Sequence, residues 1–234
     1  MSRIIDLTAT IGDPRLPVIP FFPQVTLEPI HIHEVHGRSN TKLSMPIHVG
    51  THVDAPYHFV PEGVAVDELP LEKVMGKAVR LDLRKLAKEN TAITVEDVRS
   101  VVASRKIDLR GKIVVLQTGW AERAFFSLNF YTDNPFLAEE TSHWLVTQAI
   151  KALALDHPIE SGIKLGSPPP TLGDSPNHRY FLGNGIPFIE NVVNLETFDD
   201  LEFGIIAMPL KIFHGDGGPA RVIAITGDWS LDFP

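Results

Sequence analysis

The run Lys112-Ile113-Val114-Val115-Leu116-Gln117-Thr118 is the stretch that most directly indicates the fold. It is short, apolar and rich in β-branched residues, which is typical of a β-strand. Runs of the same kind recur along the chain, and together they predict a large sheet. The other candidate strands are Arg3 to Leu7, Ile30 to Val35, Lys77 to Leu83, Lys151 to Leu155, Phe203 to Ile212 and Arg221 to Thr226.

Helices are fewer than strands. Thr94, with Asp97 three residues later, forms a capping-box pattern that predicts a helix from Thr94 to about Arg105. Two more helices are predicted, from about Ala138 to Ile150 and from Ser175 to Leu182. Because strands and helices are not strictly interleaved, we predict a mixed α/β domain with a large sheet or barrel-like β layer and helices on its outside.

Composition limits the classes of function. The 234 residues predict a single domain over 1–234, and 21 basic against 29 acidic residues give a formal charge of −8. A dispersed acidic surface argues against a nucleic-acid partner, and no run approaches the roughly 18 apolar residues of a membrane span. The start of the chain predicts no leader, so the expected location is the cytoplasm. Without cysteine, a metal site needs nitrogen and oxygen ligands, and the ten histidines become the candidates.

A dense histidine cluster lies in Ile47-His48-Val49-Gly50-Thr51-His52-Val53-Asp54-Ala55-Pro56-Tyr57-His58. Its valines, glycine and proline disfavour a helix, so the stretch is predicted to be extended. Side chains alternate along a strand, which places His48, Gly50, His52 and Asp54 on one face. We predict that Gly50 forms a bulge that draws His48 and His52 together, and that Pro56 turns His58 back toward the same cavity.

Two imidazoles beside a carboxylate form a ligand set suited to zinc, manganese or iron(II). Isolated surface histidines are the ordinary alternative, but three of them around one glycine and one aspartate argue against it. The remaining histidines lack this support. His31, His33 and His36 are predicted to lie on a separate strand, His143 on a helix, and His157 and His214 in loops or at strand ends.

The pattern His48-x-Gly50-Thr51-His52-x-Asp54-x-Pro56-x-His58 resembles the signature of the cyclase-like metal-dependent hydrolases, which include bacterial kynurenine formamidase and isatin hydrolase. Later segments are similar to the family in the same order. They are Trp144 to Asp156, His178 to Leu195 and Pro209 to Ala224, the last with Gly215-Asp216-Gly217 and Arg221. The resemblance implies a swivelling β/β/α fold, one or two zinc or manganese ions per chain, and a homodimer or homotetramer.

The resemblance also implies roles for single residues. His48, His52 and Asp54 would hold one metal, Asp54 would bridge to a second metal held by His178 and Glu190, and His58 would be the proton shuttle. Read without the family, Glu190 is an acid inside an apolar run and is costly to bury unpaired. Either a cation or a salt bridge, for example to Arg179 or Arg221, explains it.

Two segments depart from the family. Where its kynurenine formamidases have a substrate-contacting tryptophan, this chain has Pro17 to Pro23, so either Phe21 or Phe22 supplies the aromatic contact or it is missing. The loop Gly166 to Gly173, with three consecutive prolines, is longer than in the smallest members and is expected to reshape the pocket. N-Formylkynurenine is therefore only one candidate substrate.

The predicted activity is hydrolysis of a non-peptide carbon–nitrogen bond of a small molecule, linear or cyclic. A bound cation lowers the pKa of water to about 7 and polarises the carbonyl. The departing nitrogen must be protonated, and His58 is the candidate acid. Two alternatives are a mononuclear non-haem iron oxygenase using His52, Asp54 and a distal histidine such as His214, and a non-catalytic metal-binding module.

Overall fold

The computed structural model describes residues 2–163 and 174–227, which have a mixed α/β fold. The predicted loop Gly166 to Gly173 lies outside these residues. The strands are β1 (Arg3–Asp6), β2 (Thr26–His31), β3 (Asn40–Ser44), β4 (His52–Asp54), β5 (Met75–Asp82), β6 (Ala92–Ile93), β7 (Ile113–Gln117), β8 (Phe136–Leu137), β9 (Ala152–Leu155), β10 (Phe188–Glu190), β11 (Glu202–Pro209) and β12 (Gly217–Thr226). The helices are α1 (His33–His36), α2 (Val95–Arg105), α3 (Trp120–Ala124), α4 (Glu139–Thr147) and α5 (Pro176–Gly183).

The main sheet closes into a barrel. Its eight strands follow the order β1-β12-β11-β5-β7-β9-β10-β4, and β4 also pairs with β12. Seven strands therefore form the ring, with β1 added outside β12. The strands β5, β7, β9 and β10 are parallel, whereas the remaining pairs are antiparallel. The predicted barrel-like β layer is confirmed, and the short strand β4 is the one that closes it.

The core occupies both faces of the barrel wall. On β7, Ile113 and Val115 pack inside with Val53 of β4, while Val114 and Leu116 pack outside against the helices. This two-sided burial explains the continuous apolar run, because neither face of the strand meets water. The outer layer contains Val98 of α2, Leu145 of α4 and Phe181 of α5, as predicted for helices outside the sheet.

The predicted helices are found with small shifts in their limits. Thr94 caps α2 through the expected reciprocal bonds, since its hydroxyl accepts from the Asp97 amide and the Asp97 carboxylate accepts from the Thr94 amide. Helix α4 ends at Thr147, earlier than the predicted Ile150, and α5 matches its prediction closely. Among the described residues, every helix is too short or too polar to cross a membrane.

One predicted strand is wrong. The run Ile30 to Val35 does not continue as a strand, because β2 ends at His31 and His33–His36 form the short helix α1. Gly37 ends that helix with φ of +63°, a conformation that glycine adopts without strain. His33 and His36 therefore lie on a helical turn. His31, the last residue of β2, forms a hydrogen bond through its ring with the Asn40 side chain of β3.

Strands β2 and β3 form an arm that is separate from the barrel. They pair with each other, with a register shift between Pro29 and His31, and their side chains are almost all exposed. Exposed apolar residues are concentrated on the segment from β2 to β3, which we call the arm. They are Leu27, Ile30, Ile32, Val35 and Leu43.

Candidate metal centre

The closing strand β4 places two ligand candidates on one face. His52 and Asp54 are both 1% exposed, while Val53 between them points into the barrel core. The His52 Nε2 atom lies 3.2 Å from Asp54 Oδ1. Strand β10 pairs with β4 so that Glu190 is opposite His52, with His52 Nε2 3.6 Å from Glu190 Oε2. The predicted alternation is confirmed for His52 and Asp54.

His48 reaches the same place by another route. Residues 47–51 form bends rather than a strand, so the predicted extended geometry is wrong for the first half of the cluster. The His48 Nδ1 atom nevertheless lies 2.7 Å from Asp54 Oδ1, and its Nε2 atom lies 2.8 Å from Asp216 Oδ2. Gly50 has φ of +69°, so the chain turns at this residue through a left-handed conformation instead of a bulge within a strand.

The turn at Gly50 is held by buried hydrogen bonds. Its carbonyl lies 2.9 Å from His52 Nδ1 and accepts from Asn191 Nδ2 at 3.0 Å. The Thr51 hydroxyl donates to the Asn191 carbonyl and accepts from the Ala9 amide. These bonds connect the turn that brings His48 beside His52 to Asn191, the residue that follows Glu190.

Replacement of Gly50 tests this turn. A Cβ atom there would meet Leu16 and Ile11 no closer than 3.7 Å, so backbone conformation and not space sets the cost. We expect Gly50→Val to lower stability by about 2 kcal/mol or more, which corresponds to a fall of roughly 4–8 °C in melting temperature. The melting temperature of Gly50→Asn should fall less, because asparagine tolerates positive φ. Equal melting temperatures for both variants, measured by calorimetry, would contradict the backbone explanation.

His178 enters the centre from the first turn of α5. Its Nε2 atom lies 3.4 Å from Glu190 Oε1 and 3.7 Å from Asp54 Oδ2. Its Nδ1 atom lies 2.9 Å from Glu160 Oε1. The centre thus receives side chains from residues 48–54, from α5 and from β10, as the family resemblance implies.

Neither arginine proposed as a salt-bridge partner of Glu190 faces it. Arg221 pairs with Asp6 at 2.6 Å, and Arg179 donates to the Asp174 carbonyl while its guanidinium lies over Phe59. Within residues 2–163 and 174–227, the groups that form ion pairs with Glu190 are His52 and His178.

His58 lies at the rim of the centre. It ends the short 3-10 turn Pro56–His58, as predicted from Pro56, and its side chain is 24% exposed. The ring stacks on His48 with centroids 3.8 Å apart, and Nδ1 lies 3.7 Å from Asp216 Oδ2. His58 is therefore close to the candidate ligands yet reachable by a small molecule.

The charges of the centre are strongly coupled. Burial opposes the charged form of His48, but Asp54 and Asp216 outweigh burial and raise its pKa to about 10. For His178, burial is likewise outweighed by Glu160 and Glu190, and its pKa rises to about 10. The neighbouring histidines hold the pKa of Asp54 well below its usual range, against the effect of burial. His58 differs, since burial is the main effect and lowers its pKa to about 4.

Three buried atoms of the centre have no hydrogen-bond partner among the described residues, namely His52 Nε2, Asp54 Oδ2 and Glu190 Oε1. Unsatisfied buried polar groups are costly, so atoms that point at one another across a small space indicate a bound cation. In the part of the chain that the structure describes, two groups have ligand atoms within 4.8 Å of one another, one of His48, Asp54 and His58, the other of His52, Asp54 and Glu190. The nitrogen and oxygen donors fit a divalent cation, and Asp54 belongs to both groups.

The other predicted residues lie elsewhere. Phe22 packs against the cluster that contains Val49 and Trp120, whereas Phe21 is exposed. His214 is exposed, contacts the Tyr57 ring in a tilted arrangement and belongs to neither group of ligand atoms found in the described part of the chain. The oxygenase alternative that requires His214 therefore has no support in the geometry.

Sequence reasoning missed Asp216 and Glu160. Asp216 lies 168 positions from His48 along the chain, and it arrives because β12 pairs with β4, with Gly217 opposite Asp54. The segment Gly215-Asp216-Gly217 was singled out only through the resemblance, without a role. Glu160 lies in the loop after β9, where no sequence pattern distinguishes it from a solvated acid.

Comparisons with known proteins agree with this site. The model of the Cyclase family matches residues 5–159, more than half of the chain. The kynurenine formamidase of Bacillus cytotoxicus is 28% identical over 183 residues, which cover 78% of each chain. Isatin hydrolase A from Labrenzia aggregata, solved with benzyl benzoate, is 29% identical with a TM-score of 0.82, covering 97% of this chain and 94% of that one.

A predicted metal-dependent hydrolase from Bacillus stearothermophilus is 26% identical with a TM-score of 0.73, and the alignment covers 96% of this chain and 98% of that one. The likeness therefore extends through the whole barrel, including α5 and β10, which lie beyond the residues matched by the family model. The chain belongs to the Cyclase family.

Proposed function

We propose that this protein is a metal-dependent hydrolase that cleaves a non-peptide carbon–nitrogen bond of a small-molecule amide, formamide or cyclic amide. The observation that carries the proposal is the convergence, beside His58 at the rim, of buried ligand atoms from β4 and β10 that have no hydrogen bond within the described residues. The relationship to a kynurenine formamidase and to an isatin hydrolase supports the amide substrate class.

Five residues would hold the cation, zinc or manganese, as one or two ions per chain: His48, His52, Asp54, His178 and Glu190. When bound, such a cation supplies a lowered water pKa and polarisation of the carbonyl. Asp54 is placed to be shared, because its two oxygens face different histidines, Oδ1 facing His48 and His52 and Oδ2 facing His178.

His58 is proposed to move the protons. Its lowered pKa keeps the imidazole neutral near pH 7, so it is able to accept a proton from the attacking water. The same group then donates that proton to the departing nitrogen, which is a poor leaving group as an anion. Because Nδ1 faces Asp216, Nε2 is the nitrogen available for this transfer.

The aromatic contact to substrate is proposed to come from Phe21 or Phe22. Phe22 packs on the cluster containing Val49, which directly follows His48. The rings of Phe21 and Phe22 meet edge to face, with centroids 5.3 Å apart. This position places an aromatic surface on the same layer as the turn at Gly50. It suits an aryl amide better than an aliphatic one.

The activity is tested by metal analysis and a substrate screen. The purified protein should contain about one or two zinc or manganese ions per chain and should hydrolyse at least one of formanilides, cyclic imides and isatin. A chelator should remove the activity, and zinc or manganese should restore it. Metal-bound protein that turns over none of these amides, nor any ester, would contradict the proposed function and would support a metal-binding module instead.

We propose further that the protein is a homodimer or homotetramer assembled through the arm. The arm exposes five large apolar side chains, and a second copy of the chain would remove them from water.

The assembly is tested by charging the arm. We expect Ile30→Lys with Val35→Lys to yield monomers in sedimentation velocity, because buried lysines would oppose association. Leu128→Lys is the matched control, since Leu128 is 97% exposed and lies outside the arm. An arm variant that sediments like the wild-type oligomer would contradict this interface.

A further inference from the structure

The three candidate histidine ligands share one arrangement. In each, one ring nitrogen faces the carboxylates of the centre and the other is held by an oxygen outside it. For His52 the outer oxygen is the Gly50 carbonyl, 2.9 Å from Nδ1. For His48 and His178 the outer oxygen belongs to a carboxylate, and neither of these carboxylates is among the candidate ligands.

Asp216 is the outer partner of His48. Its Oδ2 atom lies 2.8 Å from Nε2, while Nδ1 on the other side of the ring lies 2.7 Å from Asp54 Oδ1. The Asp216 side chain is 41% exposed, so its other oxygen is able to reach water. The same oxygen lies 3.7 Å from His58 Nδ1.

Glu160 is the outer partner of His178 and also supports the helix that carries it. Its Oε1 atom lies 2.9 Å from His178 Nδ1 and accepts from the His178 backbone amide at 3.0 Å. Ser175, at the start of α5, forms no side-chain cap, so Glu160 supplies from a distant loop the acceptor that a helix start requires.

Further bonds fix the Glu160 carboxylate. Its Oε2 atom accepts from Asn177 Nδ2 at 2.9 Å, and the buried Asn177 side chain accepts from the Ser142 hydroxyl of α4 at 2.6 Å. Two helices and a loop therefore determine where this carboxylate lies. A solvated surface acid would have no such set of partners.

We propose that Asp216 and Glu160 are positioning residues, which hold His48 and His178 in the tautomer and orientation needed to bind the catalytic cation. The proposal rests on the proposed function. A carboxylate on the outer nitrogen keeps the proton there, leaves the inner nitrogen free to bind, and increases its basicity. His52 is held by a neutral carbonyl, which increases the basicity of its inner nitrogen less than a carboxylate would.

The test uses Asp216→Asn and Glu160→Gln, which retain size and an acceptor oxygen but remove the charge. Zinc affinity is measured by competition with a chromogenic chelator, and the outer ring N–H of each ligand histidine is observed by long-range ¹H–¹⁵N NMR of the zinc-loaded protein. We expect each variant to bind zinc about 10- to 100-fold more weakly, the range usual for partners of ligand histidines. We also expect the outer N–H resonance of only its own histidine, His48 or His178, to move upfield, because an amide oxygen is a weaker acceptor than a carboxylate.

Matched controls are Asp108→Asn and Glu140→Gln, which alter exposed acids away from the centre and should bind zinc like the wild type. Unchanged zinc affinity and unchanged outer N–H resonances in both positioning variants would overturn the proposal. Circular dichroism checks that α5 is retained, and if Glu160→Gln unfolds, the exposed Asp216→Asn variant decides the outcome. Wild-type protein that binds no zinc would instead overturn the proposed function, so the two failures are distinguishable.

Discussion

An Asp54→Asn variant is expected to lose bound metal and to fall by about 10³-fold or more in kcat/KM for any amide that the protein hydrolyses. Asp54 lies against three histidines and belongs to both groups of ligand atoms, so its charge is needed for the whole centre. The loss of several kcal/mol of charge stabilisation corresponds to this factor. Metal content by mass spectrometry and steady-state kinetics measure the two effects.

Asp156→Asn is the matched control for that variant. Asp156 is also a buried carboxylate, but it accepts from the Thr118 amide and hydroxyl and from the Gly119 amide, and it belongs to neither ligand group. We expect its loss of charge-assisted bonds to lower the melting temperature while the metal content stays unchanged. A metal-replete, active Asp54→Asn protein would refute the assignment of the centre.

A His58→Ala variant is expected to keep its metal and to lose roughly 10²- to 10⁴-fold in kcat on an amide, the range usual for a missing general acid or base. The reason is the departing nitrogen, which must be protonated. An activated ester of the same acyl group has a phenolate that leaves unaided, so its loss should be much smaller. Kinetics on the two substrates, with metal content measured on the same sample, separate these effects.

Equal losses on both substrates would show that His58 does not act as the acid. His58 would then either hold a cation or position the attacking water. Both roles are compatible with its position beside His48 and Asp54 in one group of ligand atoms. A metal-depleted His58→Ala protein would point to the first of these roles.

The sequence predicts those parts of the site that depend on nearby residues. His52 and Asp54 share a face because alternation acts over two residues, and Pro56 turns the chain toward His58 within one turn. The class of fold follows in the same way from apolar runs that are buried on both sides of the barrel wall.

Long-range pairing explains what the sequence alone did not predict. Asp216 reaches His48 only because β12 joins β4, and Glu160 reaches His178 through a loop that caps α5. Strand periodicity predicts a bulge at Gly50, because it contains no sign that residues 47–51 form bends instead of a strand. The arm shows the same limit of periodicity. The alternating pattern of Ile30 to Val35 predicts a strand, but the chain forms a helical turn at His33–His36.

The barrel closes at β4, a strand of only three residues, and the position of β4 in the chain affects when the barrel forms during synthesis. Strand β4 pairs with β10 and β12, both of which are made long after it, so both pairings form only after β12 has been synthesised. Pairings of such separation form slowly, because a long loop must close before they gain stability. Because the candidate ligands come from residues 48–54, α5 and β10, we expect the cation to bind after β10 has joined β4. The bound cation should then stabilise this pairing and slow amide exchange in β4 and β10 more than in the rest of the wall.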